Sequence, residues 1–297
     1  MKALAIIGQS ASGKSDLAHK IARKTNAVLL SMDSLCAYQK IDVASAKPTK
    51  IEREGLIYFG LDIVQPRERF GADEFIAEFG RAKTFCEAND RNLIIVGGSG
   101  FYLKALIGGL SPIPKITYEI KSKVSDLLGD VSAAYNELKT IDPIYAARIY
   151  ANDRYRIEKA LLISYASKQT PTIWFNANQP KPILQNVVIA QLFLPIDILR
   201  ERIKQRTRKM LESDLIGEIK NLLSIAPRSA QPFRAIGVKE TLDYIDGKIT
   251  AEELENLINI HTAQYAKRQR TYNKGQFSDM IAKPIDELET FGADYLS

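Results

Sequence analysis

"GQSASGKS", Gly8 to Ser15, decides how the rest of this chain is to be read. It has the spacing G-x-x-x-x-G-K-S of a phosphate-binding loop. It follows the apolar run "ALAIIG" (3–8) and opens a stretch of helical periodicity over 14–24. In a loop of this type Gly8 and Gly13 let the backbone turn the N–H groups of Gln9, Ser10, Ala11 and Ser12 inward, and the helix adds its positive N-terminal end. Lys14 then reaches the terminal phosphate, and the Ser15 hydroxyl is placed to coordinate Mg²⁺. The loop identifies a phosphate site without saying whose phosphate it holds.

Outward from the loop, short apolar runs alternate with helical patterns. "AVLLS" (27–31), "LIYFGLDIV" (56–64) and "NLIIVGG" (92–98) read as strands, and 72–88 as a helix. Continuous apolar strands between helices predict an α/β fold with a doubly wound parallel sheet, like that of P-loop NTPases. After "GGLSPIP" (108–114) the pattern changes to helical periodicity over 116–168, closed by the turn-rich "PTIWFNANQPKP" (171–182). "NVVIAQLFLP" (186–195) then returns to the strand style. The expected organisation is a catalytic core from 1–114 and 182–297, interrupted by a helical insertion domain at 115–181. Helices are expected at 197–224, 238–246 and 251–270, and a polar, partly ordered end at 274–297.

Composition narrows the class. With 45% hydrophobic and 26% charged residues the chain reads as a soluble globular protein, with no apolar run long enough for a membrane helix. Cys36 and Cys86 match no metal spacing and point to a reducing compartment, the cytoplasm. A net charge of +6 suits a polyanionic partner and equally an ordinary basic enzyme.

A phosphoryl-transferring protein usually carries an acid at the end of a strand beside the loop. Here "LIIV" ends in "GGSG" with no carboxylate, whereas "AVLLS" leads into "SMDSLCAY" and Asp33. Strand ends on the loop's edge of the sheet line the ligand crevice, so Asp33 is expected to face it, unless it is only a turn or helix-capping aspartate. Ser99, in the second glycine-rich turn, is placed to hydrogen-bond a phosphate or bridging oxygen, to cap the following helix, or both.

Together these pieces resemble the tRNA dimethylallyltransferases, the isopentenyl transferases that act on tRNA, over nearly the whole chain. "GQSASGKS" is similar to G-P-T-A-x-G-K-[ST], and "SMDSLCAY…ASAKPT" to D-S-x-Q-x-Y…G-T-A-K-P. "VGGSGFYLKALIGGL" resembles V-G-G-T-G-L-Y-x-x-A-L-x-x-G-L. "IDPIYAARIYANDRYRIEKAL" resembles D-P-x-x-A-x-x-I-x-x-N-D-x-x-R-I-x-R-A-L, and "RERIKQRTRKML", "AIGVKE" and "YAKRQRTY" follow in the family order. The departures are Gln9 and Ser10 for Pro-Thr, Cys36 for a glutamine that contacts tRNA, missing histidines in "YFGLD", Ser99 for threonine and Tyr272 for tryptophan.

The resemblance implies transfer of a dimethylallyl group from dimethylallyl diphosphate to N6 of adenosine 37 in the tRNA anticodon stem-loop, releasing diphosphate. The phosphate loop, Gly8 to Ser15, would then hold the donor's diphosphate with Mg²⁺ at Ser15, and Ser99 would hydrogen-bond the bridging oxygen. Asp33 would orient the adenine amine and take its proton. Arg202 and Arg206 share one helical face and approach either the diphosphate or the RNA backbone, or else lie on a solvated helix with Glu201 and Glu212 as partners. RNA contacts are implied for Asp33, Ser34, Leu35 and Cys36, for Tyr155, Arg156, Ile157, Glu158 and Lys159, and for Arg234, Ala235, Ile236, Gly237, Val238 and Lys239. The basic run "AKRQR" (266–270), with Tyr265 and Tyr272 beside it, suits backbone charge and base stacking. The expected partners are tRNA and the prenyl donor, with no membrane, and the expected state is a monomer. The rival readings are an adenylate prenyltransferase acting on free AMP, ADP or ATP, a small-molecule kinase or NTPase, and a non-catalytic RNA-binding protein with a relic loop.

Overall fold

Strand β1 (Ala3–Gly8) is buried at every position, the condition under which an uninterrupted apolar run is stable in a sheet covered on both faces. In the computed structural model, which describes residues 1–192 and 194–297, β1 runs into α1 (Lys14–Thr25) and the chain returns as β2 (Val28–Ser31). There follow β3 (Tyr58–Phe59), α2 (Ala72–Ala88), β4 (Leu93–Gly97) and α3 (Gly100–Gly108). Then come α4 (Tyr118–Leu127), α5 (Val131–Ile141), α6 (Pro143–Ala146), α7 (Arg154–Ser167) and α8 (Pro171–Ala177). After β5 (Val187–Leu192) the chain continues as α9 (Ile196–Glu212), α10 (Leu215–Ile225) and a 3₁₀ turn at Gln231–Arg234. Helices α11 (Val238–Ile245) and α12 (Ala251–Gln276), strand β6 (Ile281–Lys283) and helix α13 (Ile285–Leu296) complete it.

Two compact units result, Met1–Ile107 with Leu184–Ser297, and Gly108–Ile183. The change in periodicity had placed the smaller one at 115–181. In the larger unit the strands form one all-parallel sheet in the order β3-β2-β4-β1-β5-β6, a P-loop NTPase-like α/β fold. Alternate residues of β1 serve opposite cores. Ala3, Ala5 and Ile7 face Phe75, Phe79 and Leu103, while Leu4 and Ile6 face Leu17, Ile21 and Leu288.

The smaller unit has its own core of Val124, Leu128, Leu138, Ile157 and Leu161. Each of its helices starts on a side-chain cap, in turn Thr117, Asp130, Asp142, Asp153 and Thr170. Such caps are typically worth about 1 kcal/mol each, which matters for short helices that are marginal alone.

Several sequence expectations are corrected. The strand over 56–64 is reduced to Tyr58–Phe59, because Gly60 (φ 80°) and Asp62 (φ 56°) leave the extended region and Asp62 turns to pair with Lys47 at 2.5 Å. The turn-rich 171–182 contains α8, started by the Thr170 cap on Ile173 and by Pro171 in the first turn. The single helix over 197–224 is two, broken where Asp214 takes φ 64° and accepts from the Gly217 N–H. Residues 274–297 are ordered, finishing α12 and adding β6 beside β5 and α13 against α1. Of the strand expected at 186–195, β5 covers Val187–Leu192, and Phe193 lies outside the described residues. No helix among the described residues is long and apolar enough to cross a membrane.

Candidate active site

In a parallel sheet every strand delivers its following loop to the same edge, and ligands bind there. Beyond β1 this edge carries the phosphate loop, beyond β2 Met32 to Cys36, and beyond β4 the turn Gly98 to Gly100. The sequence-predicted Lys14, Asp33 and Ser99 are therefore brought together from three strands.

Gly13 adopts φ 93°, a left-handed conformation that leads the loop into α1. Lys14 is 9% exposed, and its Nζ donates to the Gln9 carbonyl at 2.6 Å. Burial lowers its pKa to about 8; the Arg206 guanidinium adds to the effect, and the Asp33 carboxylate opposes it. The Ser12 Oγ and Gln9 Oε1 are buried without a hydrogen-bond partner in the protein, as expected of a site completed by a polar ligand or water.

Not all loop N–H groups face inward. The N–H of Ser12 donates to the Gln9 carbonyl (3.2 Å), and that of Ser10 donates to Gln269 Oε1 (2.8 Å). This corrects the simple picture of a loop whose every amide serves the phosphate.

Both arginines of α9 lie on this side. Arg202 Nη1 donates to the Ser12 carbonyl at 2.9 Å and lies 3.1 Å from where a Cβ on Gly13 would sit. Arg206, one turn on, donates to the Ser45 carbonyl at 3.3 Å and acts electrostatically on Lys14.

No cluster of three or more His, Cys, Asp or Glu among the described residues could hold a metal ion. Mg²⁺ on this edge would therefore depend on phosphate oxygens, with the exposed Ser15 hydroxyl in the first turn of α1 as a protein ligand. That arrangement fits an ion that keeps much of its water and binds through substrate phosphates.

Asp33 is half-buried, and its Oδ1 accepts from the Leu35 N–H at 2.9 Å, an Asx turn that fixes the side chain. The Ser99 N–H donates to the Met32 carbonyl at 3.4 Å, tying the second glycine-rich turn to the residue before Asp33. The Ser99 carbonyl accepts from the Tyr102 N–H at 3.0 Å, the first backbone hydrogen bond leading into α3. Tyr265 of α12 is pushed up to about 12, first by burial and then by the Asp33 carboxylate.

The residues with implied RNA contacts divide by exposure. Tyr155, Arg156, Arg234 and Lys239 are exposed, and Ser34, Leu35, Glu158, Lys159, Ala235 and Ile236 are half-buried. Lys159 Nζ lies 5.8 Å from the Tyr155 ring centroid, and Arg156 pairs with Asp153 at 3.4 Å. Cys36, Ile157, Gly237 and Val238 are buried, and the side chains of Cys36, Ile157 and Val238 anchor these segments rather than face a ligand. The Cys36 Sγ is turned toward the Ser45 carbonyl at 3.8 Å, and burial pushes its thiol far above the ordinary range.

Sequence reasoning missed the supports. Lys47 Nζ, buried, donates to the Tyr38 carbonyl (2.8 Å) and pairs with Asp42 (2.7 Å) and Asp62. The Glu218 carboxylate accepts from the N–H groups of Asp42, Val43 and Ala44 at 2.7, 2.7 and 2.9 Å. Gln269 joins Ser10 to Gly98, its Nε2 donating to the Gly98 carbonyl at 3.0 Å. The contacts of Glu218 and Gln269 span long sequence separations and leave no local signal, apart from the buried-face spacing of Gln269 with Ala266 and Asn273.

Known proteins match this chain over most of its length. A family model described as IPP transferase matches residues 36–276. The chain is 46% identical over 289 residues to the tRNA dimethylallyltransferase of Sulfurimonas denitrificans, covering 97% of each chain. It is 43% identical over 297 residues to that of Aliarcobacter butzleri, covering 100% of each. Among solved structures it is similar to the tRNA isopentenylpyrophosphate transferase of Bacillus halodurans, at 30% identity and TM-score 0.72, over 99% of this chain and 96% of that one. It is similar also to a eukaryotic dimethylallyltransferase acting on tRNA, at 26% identity and TM-score 0.82, over 99% of this chain and 77% of that one. A match of this length, together with relatives this close, places the chain in the IPP transferase family.

Proposed function

We propose that this enzyme transfers a dimethylallyl group from dimethylallyl diphosphate to N6 of adenosine 37 in tRNA, as a cytoplasmic monomer. The observation that carries the reading is the convergence of a cationic phosphate cradle, Lys14 with Arg202, on Asp33 and Ser99 at one sheet edge. Relatives named tRNA dimethylallyltransferase supply the substrate class.

The allylic C–O bond breaks and its electron pair goes to the diphosphate, while the N6 lone pair forms the new C–N bond. Lys14, Arg202 and the loop amides stabilise the negative charge that grows on the leaving group. Ser99 donates a hydrogen bond to the bridging oxygen as it becomes an anion. Adenine N6 is a weak nucleophile because its lone pair is delocalised, and Asp33 accepts the proton it must lose. Mg²⁺ held at Ser15, when bound, supplies further neutralisation of the diphosphate. Arg206 contributes positive potential at the same edge.

On the RNA side, Tyr155, Arg156 and Lys159 offer phosphate and stacking contacts, as do Arg234 and Lys239, and Ser34 and Leu35 flank the base-accepting aspartate. The target adenosine leaves its stack to present N6, at lower cost in an anticodon loop than in a duplex.

The test is to incubate the protein with Mg²⁺, dimethylallyl diphosphate and unmodified tRNA, with AMP as acceptor or ATP as donor in parallel reactions. Mass spectrometry of the digested nucleosides then reads the product. Prenylated adenosine in tRNA, absent with Asp33→Ala, supports the proposal. Prenylated AMP alone, or phosphate release from ATP with no prenylation, refutes it.

A further inference from the structure

Gln269 lies inside the exposed basic run of α12, yet it is 5% exposed and turned into the protein. Its amide uses both ends. Oε1 accepts from the Ser10 N–H at 2.8 Å and from the Ser10 hydroxyl at 3.3 Å, and Nε2 donates to the Gly98 carbonyl at 3.0 Å. One planar group therefore joins the phosphate loop after β1 to the turn after β4 that carries Ser99.

The fit is close on both sides. A Cβ at Gly98 would collide with Gln269 Nε2, so the turn must be glycine for the amide to enter. One turn further along α12, Asn273 is 1% exposed with both amide atoms unpartnered, and a Cβ at Gly100 would collide with its Oδ1. Helix α12 thus presses two buried amides against the three-residue turn in which Ser99 is central.

Chemistry selects the amide. A carboxylate accepts from Ser10 but cannot donate to Gly98, an ammonium does the reverse, and an apolar side chain leaves a buried N–H and C=O unpaired. We propose that Gln269 is a positioning residue for transfer. It fixes the distance between the diphosphate cradle and the Ser99 hydroxyl, so that the hydroxyl meets the bridging oxygen as that oxygen leaves. The inference rests on the prenyl-transfer reading above. Lys14 and Arg202 supply the side-chain charge that holds the diphosphate, and the hydrogen-bond partners of Gln269 are Ser10 and Gly98 instead. The expected defect is therefore in the chemical step rather than in donor binding.

The test uses Gln269→Met, which keeps the volume and loses all three hydrogen bonds, and Gln269→Glu, which keeps the acceptor alone. Circular dichroism and thermal melts check folding of the full chain. Donor affinity is measured with dimethylallyl diphosphate in the absence of tRNA, and transfer by single-turnover quench with saturating tRNA. Donor Kd is expected to stay within about 3-fold and the single-turnover rate to fall about 10- to 100-fold, the scale of a sub-ångström to ångström misplacement of a reacting group. Combining Gln269→Met with Ser99→Ala is expected to be little worse than Ser99→Ala alone, because a misplaced hydroxyl and a missing one are the same loss. A folded Gln269→Met with the wild-type single-turnover rate overturns the inference, as does full additivity with Ser99→Ala. A wild-type protein that prenylates no tRNA refutes the proposed function and takes this inference with it.

Discussion

Raising the pH toward 8.5 makes the charge state of Lys14 measurable through ligand binding. Burial holds its pKa at about 8 in the ligand-free protein, against 10.5 for a solvated lysine. At pH 8.5 about three-quarters of these ammonium groups have lost their proton, and at pH 7 about one-tenth. A diphosphate in the cradle restores the charged form, since an adjacent anion favours the ammonium. Binding of dimethylallyl diphosphate without tRNA should therefore draw about 0.7 proton from buffer at pH 8.5 and about 0.1 at pH 7. Isothermal calorimetry in two buffers of different ionisation enthalpy reads this number directly, because the ligand is already fully ionised at pH 8.5. Lys14→Met should abolish the uptake along with most of the affinity. The same group bears on stability. Below pH 8 folded and unfolded chains both carry the proton, and the full cost of burying the charge is present. Between pH 8 and 10.5 the unfolded chain binds more protons, so stability rises with pH, by at most about 3 kcal/mol from this group. Lys14→Met should flatten that rise. Proton uptake that does not change between pH 7 and 8.5, or that survives in Lys14→Met, refutes the reasoning.

Asp33→Asn keeps an acceptor for the Leu35 N–H and removes the carboxylate proposed as the base, so transfer should slow about 10²- to 10⁴-fold with donor binding retained; single-turnover kinetics check this. Glu218→Gln leaves one oxygen where a carboxylate gathers three N–H groups, and should cost about 1–3 kcal/mol in denaturant melts, with faster amide exchange at Asp42, Val43 and Ala44. Leu161→Ala removes a fully buried side chain from the smaller unit's own core. It should destabilise that unit by about 2–5 kcal/mol and weaken tRNA binding in a filter assay, while calorimetry shows unchanged diphosphate binding.

What the sequence made legible follows from the range of the forces involved. Helix α2 was read at its true bounds because Gly71 and Glu74 form a local capping arrangement and the apolar period runs unbroken from Phe75 to Cys86. The phosphate loop was legible for the same reason, since its spacing is a local constraint. Strand β3 is shorter than the largely apolar "LIYFGLDIV" suggests, because Gly60 leaves the extended region with its N–H on the Glu78 carboxylate and Asp62 turns to Lys47 across the loop. Helix α8 was missed although Thr170-Pro171 is a helix start, because the Asn and Pro residues that follow outweighed it. The order in 274–297 comes from β5 and α1, partners distant in sequence. In the site, Lys14, Asp33 and Ser99 were legible because each follows a strand. Gln269 was not, because its hydrogen-bond partners are 259 and 171 residues away.

The strand order carries a consequence for how the chain is made. β1 sits between β4 and β5, but β5 is translated only after the whole of Gly108–Ile183. A ribosome-bound chain that has passed Ile183 holds a complete helical unit built on short-range contacts, and four of the six strands, with β1 still exposing one backbone edge. Local structure forms early and long-range pairing late. The phosphate loop, spelled out in the first fifteen residues, thus waits on α9 for Arg202 and on α12 for Gln269. Until those helices emerge, Ser10 and Ser12 lack the side chains that hold them, and the nascent loop has the sequence of a phosphate site without its shape.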